Sequence, residues 1–284
     1  MKISDSSSSS RSTVPVLTVP AWGEYPWLVH GFSTRAGGVS SVYGGNTLNL
    51  GWTKEDDPAL VAENRRRFLN AVDEDGEAVL VGVRQIHSGV VKVIREGDKA
   101  REGRLQTPEG KAVLEGDGLI TNLPGVLLGV GTADCVPVLV VDVARRVVGA
   151  FHAGWRGTVA RIAEHGIAAM SAEFGSRAED MVAAVGPSIG ACCYTVGEEV
   201  RLDFGCQFSY ATELFREEAA GIRLDLWEAN RRQLIDAGVD PKRIWTVSDC
   251  TACSRETDRG LRYFSHRGEK GVAGRMLNVV GVVA

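Results

Sequence analysis

The stretch Val147-Val-Gly-Ala-Phe-His152-Ala-Gly-Trp-Arg-Gly157-Thr158, continuing to Phe174, decides the fold class. It opens as a short, Val-rich apolar run, the pattern of a buried strand. It then turns through small residues. From Thr158 onward, Val159, Ile162, Ala163, Ile167, Met170 and Phe174 recur at helical spacing on one face. A strand that passes through a Gly-containing turn into a helix is the elementary unit of an α/β protein. Similar strand runs lie on either side: Leu28–Ser33, Val79–Val83, Val90–Ile94, Gly118–Thr121, Val126–Val130, Val136–Val143, Val182–Val185, Ile244–Val247 and Met276–Val283. Two further helices read clearly. One is Pro58–Val72, with Asp57 as N-cap and Pro58 at the first helical position. The other is Asp225–Ala237, stopped by Gly238. Strands follow one another both with and without helices between them, so the sheet is expected to be mixed. The expected fold is α/β, one domain over 14–284 with helices flanking mixed sheet, preceded by a disordered tail over 1–13.

Composition narrows the function. The chain has 284 residues, 44% hydrophobic and 24% charged, with a net charge of −4. That is an ordinary globular composition, and no basic block suggests a nucleic-acid surface. Glycine, at 34 residues, is about 12% where ~7% is usual, which implies many tight turns. The first apolar stretch, Val14–Val19, is interrupted by Pro15 and is shorter than the ~7–15 residues of a signal-peptide core. No segment approaches the ~20 apolar residues of a membrane span. Six cysteines in a chain this long do not form a disulfide framework. The expectation is a cytoplasmic protein with reduced thiols and no nucleic-acid or membrane partner. Five histidines are too few for a blue-copper site plus a three-copper cluster. Residues 95–117 carry charge at eleven of 23 positions and read as a long solvated loop, or a flap over a site.

Reactive side chains concentrate in Arg84-Gln-Ile-His87-Ser88, Gly131-Thr-Ala-Asp134-Cys135 and Phe151-His152-Ala-Gly-Trp-Arg-Gly157. Each lies at a strand end, where α/β proteins collect ligands. The plain reading of His152 is a core histidine, and that of Cys135 an inert buried thiol. Together with His87 they are also the ligand set of an open zinc site, two imidazoles and one thiolate with a fourth position for water. They are equally a nucleophile and its base. Gaps of 48 and 17 residues resemble no local zinc loop and do not separate these readings. Arg156, beside free N–H groups where Thr158 begins a helix, is a candidate anion site, and Arg35 another. Cys250-Thr-Ala-Cys253 lacks the two further ligands of a closed zinc site and is expected not to bind zinc. Adjacent Cys192 and Cys193 suit burial better than ligation.

The ordered series His30-Gly-Phe-Ser-Thr-Arg35-Ala-Gly-Gly38, Asn49-Leu-Gly51, Gln85-Ile-His87, Asp117-Gly118, Thr132-Ala-Asp-Cys135 and His152-Ala-Gly-Trp-Arg-Gly157 resembles the YfiH/laccase-domain family. So do Gly186-Pro-Ser-Ile-Gly190, Cys193-Tyr194, Cys250-Thr251, Phe264-Ser-His-Arg267 and Gly274-Arg275. This family carries an old polyphenol oxidase label and is regarded as one of multifunctional purine nucleoside enzymes. The resemblance spans about residues 24–284. It implies a zinc ion on His87, Cys135 and His152, with copper the less favoured metal. It implies phosphorolysis of adenosine, inosine and S-methyl-5′-thioadenosine, and deamination of adenosine. The partners are then a nucleoside and phosphate. The catalytic set becomes Cys135, His152, His87 and Asp134, with Asp134 either the general acid or a carboxylate that orients an imidazole. Arg35, Arg156 and Asn49 are the substrate and phosphate candidates, and Trp155 or Tyr194 could stack on the base. Two other classes stay open: a Cys–His hydrolase or amidase editing peptidoglycan precursors, and a copper-dependent phenol oxidase.

Overall fold

Two strands that are almost continuously apolar set the architecture. Val126–Thr132 and Val136–Asp142 are buried on both faces. Each therefore needs a cover on either side, and each lies in the middle of a different sheet. The computed structural model describes residues 14–73, 78–256 and 260–283. The expected tail over 1–13 lies outside them.

The first sheet has five strands in the order Val16–Leu17, Leu28–Ser33, Met276–Val282, Val126–Thr132 and Val79–Gly82. Its pairs are antiparallel except the last, which is parallel. The second has six strands in the order Ile244–Thr246, Met181–Val185, Val136–Asp142, Val147–Ala153, Gly118–Thr121 and Val91–Val93. Its two outermost pairs are parallel and the inner ones antiparallel. Both sheets are thus mixed.

Side chains alternate across each strand and sort the core into layers. Between the sheets, Phe32, Leu128, Val130 and Val280 meet Leu119, Leu139, Val141, Val148 and Ala150. Leu80, Leu127, Leu277 and Val279 face the opposite way, onto Phe68 of helix α1 (Pro58–Val72). On the far side of the six-stranded sheet, Val138, Val140, Phe151 and Ala183 pack against three helices. These are α3 (Ile162–Phe174), α4 (Glu198–Gln207) and α5 (Leu226–Asp236), contributing Ile162, Phe204 and Leu234 among others. The chain is one domain of mixed sheets flanked by helices, four layers deep. Among the described residues no helix is long and apolar enough to cross a membrane.

Helix α1 has the expected bounds, and Asp57 accepts a hydrogen bond from the Ala59 N–H. The 158–174 helix differs. A short helix α2 starts earlier, at Trp155, and ends at Val159. Arg161, at φ +56°, breaks the path before α3 begins at Ile162. The Arg161 guanidinium grips Glu164 and the Gln207 carbonyl, which holds this left-handed break in place. The strand before α2, expected over Val147–Phe151, continues to Ala153. Its ladder with Val136–Asp142 pairs Pro137 with His152 and Val136 with Ala153, so His152 lies within the strand.

Candidate active site

His87, Cys135 and His152 come together despite their sequence separation. Their ligand atoms all lie within 4.8 Å of one another. His87 and Cys135 both sit where the chain crosses between sheets. His87 lies between Val79–Gly82 of the first sheet and Val91–Val93 of the second, and Cys135 between Val126–Thr132 and Val136–Asp142. His152 has the same parity as Val148 and Ala150, so it points toward the first sheet while Phe151 points to the helices. The cluster therefore closes one end of the space between the sheets.

Asp117 organises it. This carboxylate, fully buried just before Gly118–Thr121, lies 2.8 Å from Nδ1 of His152. The acceptor carboxylate fixes the proton on Nδ1 and leaves Nε2 free for the cluster. Asp117 also accepts from the backbone N–H groups of Ile86 (3.3 Å), His87 (3.0 Å) and Ser88 (2.6 Å), and from the Ser88 hydroxyl (2.7 Å). Those bonds hold His87 in a left-handed conformation, φ +57°, that an unsupported histidine would rarely adopt. Burial works against the Asp117 charge, but the His152 and Ser88 bonds prevail and bring its pKa down to about 2.

The thiol and imidazole are polarised toward a charged pair. Burial opposes ionisation of Cys135, yet the charge of His152 and hydrogen bonds from both imidazoles lower its pKa to about 6. Burial likewise opposes protonation of His152, and the Cys135 and Asp117 charges outweigh it, raising its pKa to about 9. Gly154 leaves the necessary room. A Cβ there would stand 2.8 Å from the Cys135 Sγ and 3.3 Å from the His87 ring.

The cluster opens into a cavity of about 840 Å³. Leu50, Trp52, Leu80, Val83 and Leu277 supply apolar wall. Arg65, Arg84, Lys111, Arg267 and Arg275 line it as well, against Asp134 as the one carboxylate among the described lining residues. Gln85 also lines it and is fixed by two bonds to the Gly131 backbone, 2.7 and 2.8 Å. The charged 95–117 stretch is more than a solvated loop. Gln106, Thr107 and Gly110–Ala112 form one wall of the cavity, pinned by the Trp52 indole N–H on the Gly110 carbonyl (3.2 Å).

Several expected site residues lie elsewhere. Arg35 is paired with Glu269 at 2.7 Å and donates to the Tyr43 carbonyl. Arg156 is exposed, folded over the Trp155 ring, 4.3 Å from its centroid. Asn49 is buried in a network with Asp56, Gly51 and the Arg275 N–H. None of the three lines the cavity, and neither does Trp155, whereas Tyr194 does. Asp134 borders the cavity but does not orient an imidazole. It accepts from the Thr251 and Ser265 hydroxyls and the Arg267 N–H, each at 2.6 Å, which steadies its own left-handed turn (φ +93°) beside Cys135. The orienting carboxylate is Asp117, and its sequence signal is an acid wedged between glycines immediately before a wholly buried strand. The expectation for the CxxC pair also fails in its premise. Cys192 and Cys193 meet Cys250 and Cys253, with all four sulfurs within 4.8 Å of one another.

The four-layer fold and the His–Cys–His cluster at its sheet crossings define a laccase-domain type of enzyme. The family described as multi-copper polyphenol oxidoreductase laccase matches residues 29–283, and this chain belongs to it. The chain is 40% identical to a purine nucleoside phosphorylase of Deinococcus radiodurans over 254 residues, 89% of this chain and 88% of that one. It is 38% identical to the adenosine deaminase RL5 of an unknown prokaryotic organism, over 79% of this chain and 85% of that protein. The crystal structure of Bacillus licheniformis YfiH superimposes with a TM-score of 0.83 at 32% identity, covering 94% of this chain and 96% of that one.

Proposed function

We propose that this enzyme is a zinc-dependent purine nucleoside phosphorylase, acting on adenosine, inosine and S-methyl-5′-thioadenosine, that also deaminates adenosine. The observation that carries the reading is the convergence of His87, Cys135 and His152 at the base of a cation-lined cavity. The donor set fits zinc. It offers two imidazole nitrogens and a thiol already biased to thiolate, with a carboxylate setting the tautomer of one imidazole. When bound, zinc supplies Lewis acidity and an open position for water or substrate.

The chain's own residues account for the rest. The excess of guanidinium and ammonium groups on the wall suits an anionic co-substrate, with Arg267, Arg275 and Lys111 holding phosphate. Arg35 and Arg156 are engaged away from the cavity, which moves phosphate to these cations. Tyr194 borders the cavity, where burial and then the Cys135 charge push its phenol up to about 12. It stays a neutral donor at working pH and offers a departing purine a hydrogen bond rather than a proton. The apolar wall around Trp52 receives the base.

A second reading has its own support. Asp117, His152 and Cys135 form a carboxylate–imidazole–thiol relay, and a thiol with a pKa near 6 is nucleophilic at neutral pH. A copper oxidase is less favoured. Of the five histidines, His30 is committed to the Val19 N–H at 2.8 Å, and burial lowers its pKa to about 4. Only His87 and His152 join a cluster among the described residues. One experiment separates the classes: hypoxanthine release from inosine and ammonia release from adenosine, each with and without phosphate, on zinc-loaded protein. Phosphate-dependent hypoxanthine release supports the proposal. No turnover of either nucleoside, with rapid loss of Cys135 to alkylation, supports the hydrolase.

A further inference from the structure

We propose that Cys192, Cys193, Cys250 and Cys253 form a second, structural metal site that binds one zinc ion as a tetrathiolate.

The four residues come from two tight turns. Gly190 accepts from the N–H groups of Cys193 (2.9 Å) and Tyr194 (3.0 Å), and Cys250 accepts from Cys253 (3.3 Å) and Ser254 (2.9 Å). The turns are tied together by a bridge between Ser188 and Cys250 and by the Thr251 N–H on the Ser188 carbonyl, 3.0 Å. Two turns held side by side bring together the four thiols of a closed site. Cys250 and Cys253 have the usual CxxC spacing, while Cys192 and Cys193 are adjacent and, against the expectation of burial, Cys192 is exposed. The sulfurs lie within 4.8 Å of one another, and those of Cys192 and Cys253 are 3.6 Å apart. Zn–S bonds of about 2.3 Å in a tetrahedron place neighbouring sulfurs about 3.8 Å apart. A disulfide would need about 2.05 Å. The Cys192–Cys253 distance and the 4.8 Å limit on the others fit ligands around a common centre and exclude a formed disulfide. The Gly190 N–H donates to the Cys250 sulfur at 3.3 Å, the kind of contact that stabilises a thiolate. Cys250 is buried, while Cys192 and Cys253 reach the surface, which leaves a path for the ion. On binding, the thiols release their protons to solvent as four Zn–S bonds form.

The location gives the ion a role. Thr251, between the two CxxC sulfurs, donates to Asp134, and the Ile189 N–H donates to the Asp134 carbonyl at 2.9 Å. Tyr194, which borders the cavity, follows Cys193 directly. Closing the tetrathiolate therefore clamps the two turns that support the Asp134–Cys135 segment.

The test is zinc stoichiometry in tag-free protein, purified under reductant, loaded with zinc and freed of loose metal. Wild type should hold about two zinc ions per chain, the Cys192→Ser/Cys253→Ser variant about one, and Cys135→Ser about one. If the nucleoside-enzyme reading of the other cluster fails while this one holds, wild type carries one ion that Cys135→Ser keeps and the double variant loses. One ion that the double variant keeps overturns this proposal, as does a non-reducing mass showing a Cys192–Cys253 disulfide in place of metal. Wild type alone provides a second measurement, which stands even if a variant misfolds. Peptide mapping after alkylation should find Cys192 and Cys253 protected in the zinc-loaded protein and modified once a chelator is added. Immediate modification of both in the zinc-loaded protein overturns the proposal.

Discussion

Replacing Asp117 with asparagine tests the organisation of the active site at its centre. The carboxylate is fully buried, and each of its oxygens faces only donors. Oδ1 meets the His152 Nδ1 and the His87 N–H, and Oδ2 meets the Ser88 N–H and hydroxyl and the Ile86 N–H. An asparagine can serve only one side. With its amide nitrogen toward Ser88, the backbone donors of Ile86 and Ser88 lose their acceptor. With the nitrogen toward His152, the His87 N–H is orphaned and the imidazole must move its proton to Nε2, the atom that should bind metal. Each buried donor left unpaired costs about 1–3 kcal/mol, so the variant should lose about 2–4 kcal/mol of stability. At roughly 2–4 °C per kcal/mol for a chain of this size class, its Tm should fall by roughly 4–16 °C. Zinc affinity at this site, read by chelator competition, should fall about 10- to 100-fold, as for other partners that orient metal ligands. Differential scanning calorimetry and the competition assay together decide the matter. A Tm within ~1 °C of wild type and an unchanged zinc affinity would refute the assignment of Asp117 as organiser.

Three further outcomes follow from the same geometry. In metal-free protein, the Cys135 thiolate should appear, by alkylation rate, as pH rises through about 6, and His152→Ala should move that midpoint up toward the ordinary thiol range. Because the Cys135 pKa is depressed, its stabilising share is complete above the unfolded thiol value and is lost as pH falls through about 6. The His152 pKa is raised, so its share is complete below the unfolded imidazole value and is lost as pH rises through about 9, and the ion pair should be populated between these limits. Gly154→Ala, at an ordinary φ of −66°, should lower zinc content at the His–Cys–His cluster while circular dichroism stays native, since its methyl would press on Cys135 and His87; full zinc loading would count against the crowding argument. Arg267→Ala and Arg275→Ala should each raise the KM for phosphate about 10-fold or more, and Arg156→Ala should leave it unchanged; the opposite pattern would return phosphate to the helix turn.

What the sequence discloses, and what it hides, follows from the range of the forces involved. Helix α1 is legible to the residue because its cap and first-turn proline are local signals. The break at Arg161 is not, since it depends on Gln207, 46 residues away. Chemical type and the strand-end rule draw attention to His87, Cys135 and His152, but their convergence requires the crossing of two sheets. The Asp117-Gly118 motif does not disclose the role of its acid, because the partners of Asp117 lie about 30 residues to either side. Arg35 and Arg156 attract notice as charges near turns, and only packing reveals that Glu269 and the Trp155 ring already engage them. The four cysteines are the sharpest case. Sequence shows two unrelated pairs about 60 residues apart, and tertiary structure makes them a single group.

The placement of His87 and Cys135 on passages from one sheet to the other has a consequence for assembly. Neither sheet alone contains the cluster, so a chain with one sheet formed has no centre to offer a metal. On the proposed metal reading, capture at this cluster would be a late event in folding, and the ion would tie together layers that the chain itself joins at these crossings. Any change that lets the layers slide, however distant, should register first as weakened metal retention and only later as unfolding. In this architecture the reactive centre doubles as a gauge of how tightly the sandwich is closed.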